Sequence, residues 1–123
     1  YTFIKRTAPF AMATTFDAPT GEACIARRDV SNSPLQALTL LNDEMFMEAA
    51  RALGAKAMAA ASDDAGRIAF VLRRCVTRPP APDELKTMQA FVDAQRARKV
   101  ADKDVWTALA RAVLNLDESI VHP

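Results

Sequence analysis

The chain has 123 residues, half of them apolar and a quarter charged, with a net charge of +1. That length allows one hydrophobic core. The near-neutral balance excludes the strong field that would recruit nucleic acid or an anionic membrane, and no apolar run approaches the ~20 residues of a membrane span.

Three glycines against abundant alanine favour helices over a turn-rich β fold. Residues 1–33 stand apart. They carry Pro9, Pro19 and Gly21 in loop-like settings, several threonines, and no sustained 3.6-residue period. They predict an extended, mostly irregular arm within the same domain, with Thr14–Phe16 and Cys24–Arg27 as strand candidates. The start at Tyr1, in mid-sequence, predicts a fragment of a larger multidomain protein.

Helical signals begin at Ser33 and predict a bundle over 34–123. Ser33 caps, Pro34 suits the first helical position and Gln36 completes a capping box. Leu35, Leu38 and Leu41 then form the expected inward stripe. Asn42-Asp43 breaks the helix, and a second runs from about Glu44 to Ala60. Its expected apolar face is Met45, Phe46, Ala49, Ala50, Leu53, Ala57 and Met58, with Gly54 a local weakness. Ser62, Asp63 and Asp64 start a third helix, with Ile68, Val71, Leu72, Cys75 and Val76 on one face. Pro79-Pro80 ends it. Pro82, beside Asp83 and Glu84, opens a fourth, buried through Leu85, Met88, Phe91 and Val92. Asp102 or Lys103 opens a fifth, with Val105, Trp106, Leu109, Val113 and Leu116 inward. The expected fold class is therefore all-α, an orthogonal or irregular bundle of about five helices carrying the N-terminal arm.

The charges agree with this division. Acids gather in first turns and bases near last turns, each complementing the helix dipole by about 0.3–1 kcal/mol. Over residues 34–123 there are 12 bases and 12 acids, which denies the Arg73, Arg74 and Arg78 cluster a coherent field.

The stretch Thr15–Asp43 reads TFDAPTGEACIARRDVSNSPLQALTLLND. It resembles the C-terminal domain of unknown function numbered family 1553, the planctomycete-type PSD domain. The resemblance rests on Thr15-Phe16-Asp17-Ala18-Pro19, Glu22, Cys24, Arg27-Arg28 and Ser31-Asn32-Ser33-Pro34-Leu35-Gln36-Ala37-Leu38. It continues more loosely through Phe46 and Glu48–Arg51, then Arg78-Pro79-Pro80 with Pro82 and Glu84, and finally Asn115-Leu116-Asp117-Glu118. Tyr1–Pro9 resembles the family's lead-in. The resemblance implies an exported, extracytoplasmic parent protein whose upstream domains, a c-type cytochrome domain among them, would be this chain's partners. It implies no reaction.

Candidate chemistry is confined to the polar signature. Asp17 and Glu22 are the candidates for general acid or base. Arg27 and Arg28, with Asn32, are the candidates for holding a carboxylate, sulfate or haem propionate. Against this stands a structural reading, in which such side chains satisfy the backbone of an irregular arm. No metal set is expected, since His122 is the sole histidine and adjoins the chain end. No CxxCH haem-attachment site exists, and no cofactor is expected. Cys24 and Cys75 leave two readings open, free thiols or one disulfide. The methionines and Trp106 read as core filler and core anchor.

Three functions remain. One is a non-catalytic structural or interaction module bracing the rest of an exported, cytochrome c-linked protein. A second is a fragment of a polysaccharide-acting enzyme, whose arm completes an upstream active site. A third is a carbohydrate- or protein-binding surface, which would need an exposed aromatic platform such as Trp106.

Overall fold

Cap chemistry sets several helix boundaries in the structure, a computed structural model that describes residues 10–19, 24–27 and 31–120. A short helix, α1 (Ala11–Thr15), precedes the bundle. The Ser33 hydroxyl accepts the Gln36 backbone N–H at 3.3 Å, and the Gln36 side-chain oxygen accepts the Ser33 N–H at 3.4 Å, closing the box that opens α2 (Pro34–Asn42). Asp43 ends α2 and starts α3 (Glu44–Ala60), its carboxylate accepting the Met45 N–H at 2.9 Å. Asp63 does the same for α4 (Asp64–Val76) through the Gly66 N–H at 2.9 Å. Thr77, in the left-handed region at φ 59°, ends α4 ahead of the two prolines. Ala81 has no side-chain acceptor, so α5 (Pro82–Ala97) keeps only half a box, Glu84 accepting the Ala81 N–H at 2.8 Å. Next come α6 (Asp102–Leu114) and a final short turn of helix, α7 (Asp117–Ile120).

The fold is all-α. Among the described residues there is no strand, and the five longer helices α2 to α6 are those the periodicity predicts. The strand expected at Thr14–Phe16 is instead the end of α1. Ala11, Met12 and Ala13 are good helix formers, and the Thr15 hydroxyl bonds back to the Ala11 carbonyl at 2.9 Å. Cys24–Arg27 is irregular chain with a bend at Ala26-Arg27.

The core lies between α3, α4, α5 and α6. Ile68, Val71, Leu72 and Val76 of α4 meet Val92 of α5 and Val105, Trp106, Leu109 and Val113 of α6. Trp106 is fully buried, with the Arg67 guanidinium 5.4 Å from its ring centre. The most extensive helix pair is α3 with α6. It is built on small residues: Ala50, Gly54 and Ala57 are the buried positions of α3. Ala50 and Ala57 are buried as expected, and the rest of the expected face is corrected, since Met45 and Ala49 are exposed and Leu53 and Met58 only lean on the core. Leu116, expected inward, lies beyond the end of α6 and is exposed.

The face of α2 also differs from expectation. Leu35 and Leu38 are 58% and 56% exposed, while Gln36 and Leu40 are buried. Each residue advances a helix by about 100°. Turning Gln36 inward to its partners therefore rotates Leu35 and Leu38 out to solvent.

Candidate functional site

The polar signature folds around one buried amide. Gln36 is 1% exposed, and its Nε2 donates to the Thr15 carbonyl at 2.9 Å, to Ser31 Oγ at 3.2 Å and to Asp17 Oδ2 at 3.3 Å. Two hydrogens thus serve three acceptors, so one bond is shared. Asp17 Oδ2 also accepts the Ser31 backbone N–H at 2.9 Å and the Ser31 hydroxyl at 2.6 Å. Asp17 sits at φ 57°, a left-handed turn that aspartate tolerates better than most residues. Among the described residues of the arm no strand ladder satisfies the backbone, and these side chains give the Thr15 carbonyl and the Ser31 N–H their partners.

Asn32 belongs to a second junction. Its amide donates to the Asp117 carboxylate of α7, 85 positions along the chain. The next residue of α7, Glu118, meets Arg78, whose Nε and Nη2 reach the two carboxylate oxygens at 2.7 Å each. The same guanidinium grips Glu84 at the start of α5 through Nη1 at 2.8 Å and Nη2 at 2.6 Å. The sequence gives Arg78 and Glu84 helix-end roles and marks Asp117 and Glu118 only as part of the family resemblance. Glu118 lies 40 residues beyond Arg78, and no local pattern announces that pair.

Other candidate residues stay apart. Arg27 is exposed at the bend of the arm. Glu22, Arg28 and His122 lie outside the described residues. Cys24 and Cys75 are both free thiols, the first exposed and the second half-buried, and burial pushes the Cys75 thiol upward. Among the described residues no three potential metal ligands converge, and no helix is long and apolar enough to cross a membrane. Asp17, Ser31 and Gln36 can hold a turn. Here the Ser31 hydroxyl and the Asp17 carboxylate face each other and Gln36.

The family model of PSD1, described as protein of unknown function (DUF1553), matches residues 1–92. The chain belongs to this family. No curated protein and no solved structure matches it. The PSD1 match takes in the arm, α2, α3, α4 and α5 as far as Val92. The rest of α5, with α6 and α7, lies beyond it, as does the stretch Asn115–Glu118 where the looser resemblance ends. The Asp17, Ser31 and Gln36 cluster therefore falls inside the match, whereas the α7 end of the second junction falls outside.

The paired carboxylates make stability depend on acid. Hydrogen bonds from Arg78, then from the Ala81 N–H, hold Glu84 down from an ordinary 4.5 to about 2. Hydrogen bonds from Arg96 likewise lower Asp64. A carboxylate depressed in the folded state stabilises it above the unfolded value, and that contribution is lost as pH falls through the folded value. Stability is therefore expected to decline between about pH 4.5 and 2, with Glu84 worth about 1 kcal/mol after solvent screening. Thermal melts across that range check this, and Arg78→Met should flatten the Glu84 part of the decline.

Proposed function

We propose that this PSD1 chain is a non-catalytic docking module, joined to upstream domains of an exported polypeptide and braced against them. The observation that carries the reading is where apolar side chains meet water. Among the described residues, Phe10, Ile25, Leu35, Leu38 and Met45 account for all but one of the exposed large hydrophobic side chains. All five stand in the arm, α2 and the start of α3. Leu35 and Leu38 stand about one turn apart on α2, and large apolar groups gathered on one surface are unfavourable in water unless something covers them. The polar signature supports the same reading, because Asp17 and Asn32 are engaged within the chain. The family resemblance suggests an extracytoplasmic parent protein with a c-type cytochrome domain as the covering partner. Trp106 lies fully buried under Arg67 and offers no platform for a sugar.

The test uses Leu35→Asp together with Leu38→Asp. Both side chains are exposed, so the isolated chain should melt within about 1 kcal/mol of the parent. Its affinity for the separately produced upstream segment should fall at least about tenfold. Unchanged affinity removes this face from the proposal. The isolated chain is also expected to give no Soret band on haem reconstitution and no turnover of glycans. Activity on a polysaccharide that depends on Asp17 or Arg27 would favour the enzyme reading instead.

A further inference from the structure

We infer that α7 is a releasable clasp for the signature arm, opening independently of the bundle and freeing the arm when it does. Two features of α7 carry this. The first is what it holds. Asp117 accepts the Asn32 amide, Glu118 accepts two bonds from Arg78, and the Ser119 hydroxyl donates to the Val113 carbonyl at 2.7 Å. Three consecutive residues thus tie together the arm, the turn after α4 and the end of α6. Asn32 is one residue from Ser31, whose N–H and hydroxyl are the groups Asp17 holds. Tension or slack at Asn32 passes directly to that cluster.

The second is how weakly α7 is anchored. No residue of α7 is buried. Its ion pair is open to solvent, with the Glu118 and Arg78 side chains 45% and 37% exposed. Exposed pairs of this kind contribute little each and less in salt. Ile120 is the one large apolar side chain of α7 and is only half-buried, and an element with so little buried apolar contact opens at a free energy below that of the whole domain. The bundle behind it rests on Ile68, Leu72, Trp106 and Leu109, in a core cluster to which no residue of α7 belongs. Opening of α7 and loosening of the arm are then linked reciprocally, each favouring the other. The inference does not depend on the docking reading, since it concerns bonds within the chain alone.

Amide hydrogen exchange on the 123-residue chain tests it. Ser119 and Ile120, whose N–H groups bond to the Leu116 carbonyl, report on α7. Ser31 reports on the arm, and Leu72 and Leu109 on the core. In the double variant Asp117→Ala, Glu118→Gln, exchange at Ser119, Ile120 and Ser31 should quicken together by about tenfold, with the core amides unchanged. Asn32→Ala should quicken Ser119 and Ile120 from the other side, and it serves alone where the double variant folds poorly. Raising the salt concentration should move the same three amides in the parent chain. A Ser31 amide that keeps its parental rate in the double variant overturns the inference, because the arm is then held without α7. Arm, α7 and core amides all quickening equally overturns it too, because α7 then opens only as the domain unfolds.

Discussion

A chain ended at Val92, where the PSD1 match stops, is expected to be unfolded. The cut removes Val105, Trp106, Leu109, Ala110 and Val113, all buried on α6. Burying a large apolar side chain contributes roughly 1.5–3 kcal/mol. Four of them contribute about 6–12 kcal/mol, comparable to the whole stability of about 5–15 kcal/mol typical of a domain. The loss is compounded on the other side of the interface. Ala50, Gly54 and Ala57 of α3 are buried because α6 lies against them, and they are too small to bury one another. Far-ultraviolet circular dichroism should show little helix at room temperature and no cooperative melt, while the full chain shows both. A cooperative transition in the shortened chain would mean that α6 is an addition to a core already complete. The folding unit, on this argument, extends past the stretch that marks the family.

Helix positions were legible because local signals agreed. At Ser33, Asp43 and Asp63 a capping side chain and an apolar period point to the same boundary, and at the last two an acid in the first turn agrees. The α4 face, Ile68, Val71, Leu72 and Val76, is buried as its period predicts. Helix rotation was less legible where the period was weak. In α2 the leucines suggest one face, but the buried side is chosen by Gln36, whose partners Thr15 and Asp17 lie on a segment with no period at all. In α3 the expected face mixed large and small apolar residues, and close approach to α6 buries Ala50 and Ala57 with Gly54 and leaves Met45 outside.

The site was legible by residue type and not by connection. Asp17 and Asn32 stood out as polar groups in irregular chain. Their partners Ser31, Gln36 and Asp117 did not, because Ser31 and Asp117 stood only within the family resemblance and Gln36 was already explained as a cap. Arg96 shows the same limit. Its place in the last turn of α5 suggests a dipole role, yet it bonds Asp64 of α4 through both terminal nitrogens and Asp102 of α6 through Nε. Pairs separated by 32 or 85 positions have no periodic signature. Only the fold brings them together.

Gly54→Val is expected to destabilise the chain by about 3 kcal/mol, lowering its melting temperature by about 10 °C or more. Composition alone suggests the reverse, since glycine within a helix costs roughly 0.5–1 kcal/mol relative to alanine. The structure supplies the competing effect. A Cβ at Gly54 would stand 3.0 Å from the Thr107 nitrogen, 3.0 Å from the Trp106 carbonyl carbon and 3.1 Å from its oxygen. These are backbone atoms in the middle of α6, so no side chain can swing aside. Relief requires moving α6 away from α3, which opens the packing around Trp106 and Ala57. Alanine places one atom in that gap, and its propensity gain offsets part of the strain. Valine adds two more atoms and a poorer helix propensity. The expected order of stability is therefore glycine, alanine, valine, read from thermal or urea melts of the three chains. Should alanine prove more stable than glycine, α6 yields more easily than its buried residues suggest, and the close approach of the two helices is not what holds the core.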